Sequence, residues 1–506
     1  MRKTTFIIPV LNASDRLNET LKSVIAQCGE GAQIICLVDS AVYSLTRESA
    51  ARDCASVLFL KSDFKSEGTA RILNRGISLS EGDAVFLITQ PVILLPGLVI
   101  NYIKYLFSHE STGYVYGNFI EETGPDNKEV IREVKTDNFD YSEASQIGPV
   151  RAIKREVFDA VGYYDSGLKH SFDYDLRLRI FERFEIARIE EPLYKVTNNV
   201  SEARSNDPVK PLYCYIPSND NPHSYSYLQY NHEEEKEYRD SCHDSLKRLG
   251  AFLTHSSIPV ECNHRDMNAP QISVVIPLFN RAEYIGRAIE SVLNGAWEDF
   301  EIIIVDNGSS DGSVGAVEKY LNEGNITLLK IEVNNTAEAL NLGIRHARGK
   351  YICQLDSDDL YTPETLGTLY SYMESNPGSA LGVSNYDCIG PDDQALAEYG
   401  VVRHPEYDRN NLIRTDGLGA ARIWHRCVLE ELGGYDEENL GSYGEDYDLA
   451  LKISEKYDIV RIPYVLYRYR MNHKRTEERT DYLMRHAKKT FARKSAILRR
   501  QKINEK

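Results

Sequence analysis

Four consecutive residues, Asp356-Ser357-Asp358-Asp359, place three carboxylates directly behind a short apolar run, Tyr351-Ile352-Cys353-Gln354-Leu355. Carboxylates this close repel one another and resist burial unless a positive charge sits among them, so a bound divalent cation is the economical explanation. The corresponding place in the first half of the chain reads Leu87-Ile88-Thr89-Gln90-Pro91-Val92, without a carboxylate. One half is equipped for metal chemistry and the other is not.

The elements that must position these residues occur twice. Phe6-Ile7-Ile8-Pro9-Val10-Leu11-Asn12 matches Val274-Val275-Ile276-Pro277-Leu278-Phe279-Asn280, and a helix-patterned segment follows each. Asp39 pairs with Asp306, Asn74 with Asn341 and Gly82 with Gly349, all at an offset of 267 residues. Gly162-Tyr163-Tyr164-Asp165 echoes Gly433-Gly434-Tyr435-Asp436, and Asp173-Tyr174-Asp175-Leu176 echoes Asp446-Tyr447-Asp448-Leu449. A duplication is the simplest account. Within each copy, short runs rich in Val, Ile and Leu alternate with longer helix-period segments, which predicts an α/β fold with a mostly parallel central sheet covered by helices. Ligands of such sheets bind beyond the carboxyl ends of the strands, so Asp306 and Asp356 to Asp359 are expected to share one crevice.

The chain has 506 residues, which suits more than one domain. The expected division is a domain over 1–204, a linker with one helix over 205–269, a second domain over 270–473 and a basic helix over 474–506. A formal net charge of −17 disfavours a general affinity for nucleic acid. Nine dispersed cysteines with no CxxC pair speak against both disulfides and structural zinc, and point to a reducing, cytoplasmic setting. Val85 to Phe107, the most apolar region, is interrupted by polar residues and prolines and does not predict a membrane span. From Lys474 onward twelve Lys or Arg face four Asp or Glu. That tail reads either as a solvated helix packed on its domain or as a segment held at the inner, anionic face of a membrane.

From Ile272 to about His473, the second copy resembles an inverting family 2 glycosyltransferase of the GT-A fold. The resemblance rests on five motifs in order: the strand around Pro277, Val305-Asp306-Asn307-Gly308-Ser309-Ser310-Asp311-Gly312, the DxD-type Asp356-Ser357-Asp358, the Gly433-Gly434-Tyr435-Asp436 turn, and Gly444-Glu445-Asp446-Tyr447-Asp448-Leu449. It implies a nucleotide-sugar donor held by Pro277, Phe279, Asp306, Asn341, Asp356 and Ser357, with Mn²⁺ or Mg²⁺ on Asp358 and His473. It further implies a general base at Asp446, with Glu445 beside it, for a saccharide or lipid-linked acceptor whose hydroxyl has a pKa far above neutrality. Trp424 reads as an acceptor platform or as core. Asp306 could also begin the Asp-Asn-Gly-Ser turn, and the acids at 445–448 would in any case favour a helix N-terminus.

The first copy keeps Asp39 and Asp173 but has Thr89-Gln90-Pro91 in place of the metal-binding acids and Phe172 in place of Glu445. It is therefore expected to be inactive in transfer, serving as a packing or acceptor-binding partner. The alternatives are a bifunctional polymerase with two working copies and a non-catalytic saccharide-binding scaffold.

Overall fold

A computed structural model of the chain describes residues 2–12, 15–28, 32–50, 57–123, 128–142, 147–196, 226–262, 268–415, 417–471 and 481–505. It divides into two compact units, Met1–Pro217 with Tyr230–Leu249, and Ser218–Gln229 with Gly250–Lys506.

In the first unit, β1 (Thr4–Val10), β2 (Ala32–Asp39), β3 (Val57–Ser62), β4 (Ala84–Ile88), β6 (Thr112–Gly117), β9 (Val150–Lys154) and β10 (Glu185–Ile189) form one sheet in the order β10-β6-β9-β4-β1-β2-β3. A second sheet, in the order β5-β11-β7-β8, is built from β5 (Val92–Leu94), β7 (Phe119–Thr123), β8 (Lys128–Arg132) and β11 (Tyr194–Val196). The neighbours of β1 are parallel to it, whereas β9 runs antiparallel to β4 and β6.

The second unit repeats this plan. Its strands are β12 (Ile272–Leu278), β13 (Phe300–Asn307), β14 (Ile326–Ile331), β15 (Tyr351–Gln354), β16 (Leu360–Tyr361), β17 (Ser379–Ile389), β18 (Val401–Val402), β19 (Arg422–His425) and β20 (Asp458–Arg470). They form one sheet in the order β14-β13-β12-β15-β19-β17-β20-β16, with β18 on β17. Read from the other edge, the main sheet of the first unit has the same order with the same parallel and antiparallel pairings. The small sheet of the first unit corresponds to the far halves of β17 and β20 with β16 and β18. In the second unit β17 and β20 run on unbroken through that region; in the first, each is split in two.

Packing explains the shared frame. Ile272, Val274, Ile276 and Leu278 of β12 are fully buried, as are Ile285, Ala288 and Ile289 on the inner face of the following helix, at helical spacing. Gly349 lies so close to β12 that a Cβ would sit 2.6 Å from the backbone nitrogen of Ser273, and Gly82 stands in the same relation to Thr5 at 2.5 Å. No side chain fits at either crossing, which is why glycine recurs there.

Two segments differ from the expected division. The helix His232–Arg248, expected within a linker, belongs to the first unit, where Ser241 and Ser245 bond to Ser171 and Tyr141 at 2.9 and 2.7 Å. The C-terminal helix, Tyr482–Asn504, packs on the helix Glu445–Ser454 of the second unit. Its basic residues are partly internal: Arg493 and Arg500 are buried, Arg493 donates to the Ile413 carbonyl, and Arg500 donates to the Arg409 carbonyl and Ser454. Arg499 pairs with Glu455. Among the described residues, no helix is long and apolar enough to cross a membrane.

Candidate active site

The acidic loop leaves the carboxyl end of β15 and enters β16, and each of its acids has a different neighbour. Asp356 accepts from Gln354 Nε2 at 3.1 Å, and its backbone N–H bonds to the Tyr467 hydroxyl. Burial raises its pKa; Arg422 opposes that shift, while the charges on Asp358 and Asp446 add to it. Asp358 accepts from Arg281 Nε at 2.8 Å. Asp359 is turned inward, where its Oδ1 accepts from the Arg470 backbone N–H at 2.7 Å, and burial together with Asp358 and Asp356 drives its pKa well up. Asp359 therefore anchors the loop, leaving Asp356 and Asp358 as the pair facing the crevice. Two neighbouring carboxylates crowded by like charge suit a hard oxygen-seeking dication such as Mg²⁺ or Mn²⁺, which would relieve that crowding.

Gly444, in the left-handed conformation at φ 79°, begins the helix Glu445–Ser454 and sets Glu445 and Asp446 in its first turn. Asp446 pairs with Arg422, the first residue of β19, and also accepts from the Tyr447 backbone N–H at 2.7 Å. Burial works against the charge of Arg422, but Asp446 and Asp356 outweigh it and keep the guanidinium cationic. Arg422 is thus the hub that brings the two acidic groups within electrostatic reach of each other. Glu445 is buried, and burial with the Asp446 charge beside it pushes its pKa up to about 8. The arrangement sets one carboxylate paired with arginine beside another that takes up a proton near neutral pH.

The loops after β12 and β13 are knitted together. Asn280, at φ 51°, accepts from the backbone N–H groups of Ser310 and Asp311, and the Arg281 N–H donates to Ser313 Oγ at 2.8 Å. Asp306, buried at the end of β13, accepts from the Ser309 N–H at 3.1 Å and so forms the turn that its sequence context allowed. Pro277 and Phe279 are half-buried at the end of β12, and Ser357 is buried in the acidic loop.

Several expected contacts are corrected by the geometry. The Asn341 amide is already committed: its Oδ1 accepts from the Tyr435 N–H and its Nδ2 donates to the Tyr435 carbonyl, both at 2.9 Å, and to Glu437 at 2.7 Å. Asn74 makes the same clamp on Tyr164 in the first unit, so this asparagine fastens a helix to a turn rather than holding a nucleotide. Trp424 is 0 % exposed and packs edge-on against Tyr435, which makes it core and removes it as an acceptor platform. Arg470 is 1 % exposed and spends its guanidinium on the carbonyls of Asp358, Gly390 and Pro391. His473 lies outside the described residues.

Arg281 and Arg422 were not singled out by their sequence. One signal for Arg281 was available, because the matching positions in the first copy are Ala13 and Pro91, so both partners of the Arg281–Asp358 pair are replaced together. The Arg422–Asp446 pair, by contrast, has a counterpart in Arg151–Asp173, where both carboxylate oxygens accept from Nη1 at 3.0 and 2.9 Å. Phe172, in the place of Glu445, is buried against Tyr164. The expected disulfide-free chain is corrected as well: Cys262 and Cys427, 165 residues apart, are joined. Even spacing along a sequence is no guide to contacts made by folding over that distance.

The sequence model described as "Glycosyl transferase family 2" matches residues 5–162 and 273–427, more than half of the chain and both copies. A relative named "Uncharacterized glycosyltransferase" from Rickettsia felis is 27% identical over 392 residues, covering 74% of this chain and 64% of its own length. A hyaluronan synthase of Pasteurella multocida is 27% identical over 219 residues, 42% of this chain and 21% of that protein. The chain spans less than two thirds of the length of these curated relatives. Among solved structures, a mannosyltransferase from Pyrobaculum calidifontis in complex with GDP-Man and Mn²⁺ matches at 21% identity and a TM-score of 0.35, covering 51% of this chain and 73% of that one.

Proposed function

The chain belongs to glycosyl transferase family 2, and from that premise we propose that its second unit transfers a sugar from a nucleoside diphosphate sugar to a saccharide or lipid-linked hydroxyl, with inversion at the anomeric carbon. The observation that carries this reading is the convergence of Asp356 and Asp358 with Glu445 and Asp446 around Arg422 at one end of the sheet. A UDP-sugar is the donor to test first. Relatives named for hyaluronan and chondroitin synthesis support a saccharide acceptor.

Asp358, with Asp356 beside it, would hold Mn²⁺ or Mg²⁺, which supplies Lewis-acid neutralisation of the departing diphosphate. Arg281 aligns the Asp358 carboxylate, and the knitted loops at Asn280 and Asp306 offer the base and ribose a rigid wall. Asp446, paired with Arg422, takes the proton from the acceptor hydroxyl as its oxygen attacks the anomeric carbon and the carbon–oxygen bond to the diphosphate breaks. Glu445 borders the same pocket and sets the charge that Asp446 experiences.

The first unit, with Thr89-Gln90-Pro91 and Phe172 at the corresponding places, lacks the acids for this chemistry. It serves the second as a non-catalytic copy of the same frame. The exposed Met484, Phe491 and Leu498, seven residues apart along the C-terminal helix, are the side chains through which peripheral membrane contact would be made. The deciding experiment is a screen of nucleotide sugars for metal-dependent transfer or hydrolysis by the whole chain and by Asp358→Ala. Equal turnover by the two proteins would overturn the assignment.

A further inference from the structure

Nine cysteines look scattered along the chain, but folding gathers two of them around a histidine. Cys262 lies in the segment that leads toward β12, and Cys427 sits in the first turn of the helix Arg426–Leu432. Between them His425, the last residue of β19, brings Nδ1 to 3.3 Å from Cys262 Sγ and 3.5 Å from Cys427 Sγ. The three ligand-type atoms lie within 4.8 Å of one another. A tetrahedral zinc with ordinary Zn–S and Zn–N bond lengths separates sulfur from nitrogen by about 3.5 Å and sulfur from sulfur by about 3.8 Å. Both sulfur–nitrogen separations already fit. Only the sulfurs have to part, which side-chain rotation allows at a Cα separation of 6.2 Å.

The imidazole is prepared for such a role. It is buried and held edge-on against Tyr351, with ring centroids 4.9 Å apart. Topology separates this cluster from the acidic crevice. Because β19 runs antiparallel to β15, Arg422 lies opposite Gln354 at the end next to Asp356, whereas His425 lies opposite Tyr351 at the other end. Three residues of strand put the two ends about 10 Å apart.

We propose that Cys262, Cys427 and His425 form a structural zinc site whenever the two cysteines are in the dithiol state, with a water completing the tetrahedron. Zn²⁺ binds two thiolates and Nδ1, and the two thiol protons are released to solvent. The disulfide is the two-electron oxidised alternative of the same pair and excludes the metal; a dithiol or phosphine reductant restores the ligands. The purpose is a clasp. The segment before Cys262 is tied along the second unit through Leu253 to Asn410, Ser257 to Asp458 and the Ile258 N–H to the Lys456 carbonyl, and the cluster continues that series of fastenings. The cluster joins that segment to the strand whose other end carries Arg422.

The test uses the full chain purified with a phosphine reductant, loaded with Zn²⁺, desalted and assayed for metal. About one zinc per chain is expected, released by thiol alkylation, retained in Asp358→Ala and lost in Cys262→Ser and in Cys427→Ser. Absence of zinc from the reduced wild-type chain would overturn the proposal, as would its retention in the Cys262→Ser/Cys427→Ser double variant. If the serine variants do not fold, Co²⁺ loading of the reduced wild-type chain decides: a thiolate-to-cobalt charge-transfer band supports the site, and a spectrum with d–d bands of oxygen-ligated cobalt alone refutes it.

Discussion

The two copies share a strand order, a glycine crossing, an asparagine clamp and a buried arginine–aspartate pair, yet only one carries carboxylates where the other has Thr89-Gln90-Pro91-Val92. The contrast separates two roles that look alike in the second unit. Arg422–Asp446 recurs as Arg151–Asp173 where there is no Asp358 to serve, so the pair is part of the frame as well as of the chemistry. Arg281–Asp358 is replaced on both sides, by Ala13 and Pro91, so that pair belongs to the chemistry alone. Where Glu445 stands in one unit, Phe172 takes its place in the other and packs against Tyr164.

The comparison breaks most sharply at Asp358. Asp358→Ala, or chelation of the metal, should lower transfer by roughly 10³-fold or more, since a single transition-state charge contact is commonly worth 10²–10³; adding Mn²⁺ or Mg²⁺ back should rescue the chelated wild type only. One surviving linkage activity in Asp358→Ala would mean that the first copy also works. Next comes Asp446→Asn, for which a loss of about 10²- to 10⁴-fold in turnover is expected with nucleotide binding nearly intact.

The matching change in the first copy, Asp173→Asn, is predicted to have little influence on turnover but to lower stability by about 3–5 kcal/mol, because it strands a buried Arg151. Thermal denaturation read beside activity distinguishes these outcomes. Loss of turnover as large as in Asp446→Asn would erase the proposed division of labour.

The smallest effect concerns Glu445, raised to about 8 in the fold against 4.5 in the unfolded chain. Between those values the folded state holds a proton that the unfolded state has released, so Glu445 lowers stability as pH rises through that window. Glu445→Gln removes that titration, so it should gain stability relative to wild type from pH 5 to about 8 and show no further gain above it. A flat difference in melting temperature across that range would refute the shifted titration.

The sheet frame was legible because Val- and Ile-rich runs at a fixed spacing leave a periodic trace, and the offset of 267 residues is that trace seen twice. The acids at 356–359 and 445–446 were legible because charge concentrated beside an apolar strand is locally anomalous. Arg281, Arg422 and the Cys262–His425–Cys427 cluster were hidden for a common reason: each depends on a contact made across 24 to 165 residues, and a lone arginine or cysteine has no local pattern. Asn341 was misread in the opposite direction, and Trp424, left open between platform and core, proved to be core. Their chemistry permits ligand contact, but backbone pairing and burial had already claimed them.

The recurrence of one strand order in a single chain has a consequence for folding. During synthesis β1 emerges first, and every central pairing of its sheet is also formed, in the same direction, by β12 in the other. Tandem copies of this kind compete for one another's strands, and misassembly is a characteristic failure of repeated domains. Divergence between the copies protects against that exchange. A helix carrying Glu445 cannot settle over a core shaped for Phe172 without setting a polar carboxyl where an aromatic ring packs against Tyr164. The exchange of Glu445 for Phe172 thus doubles as a label that tells the folding chain which half belongs to which sheet.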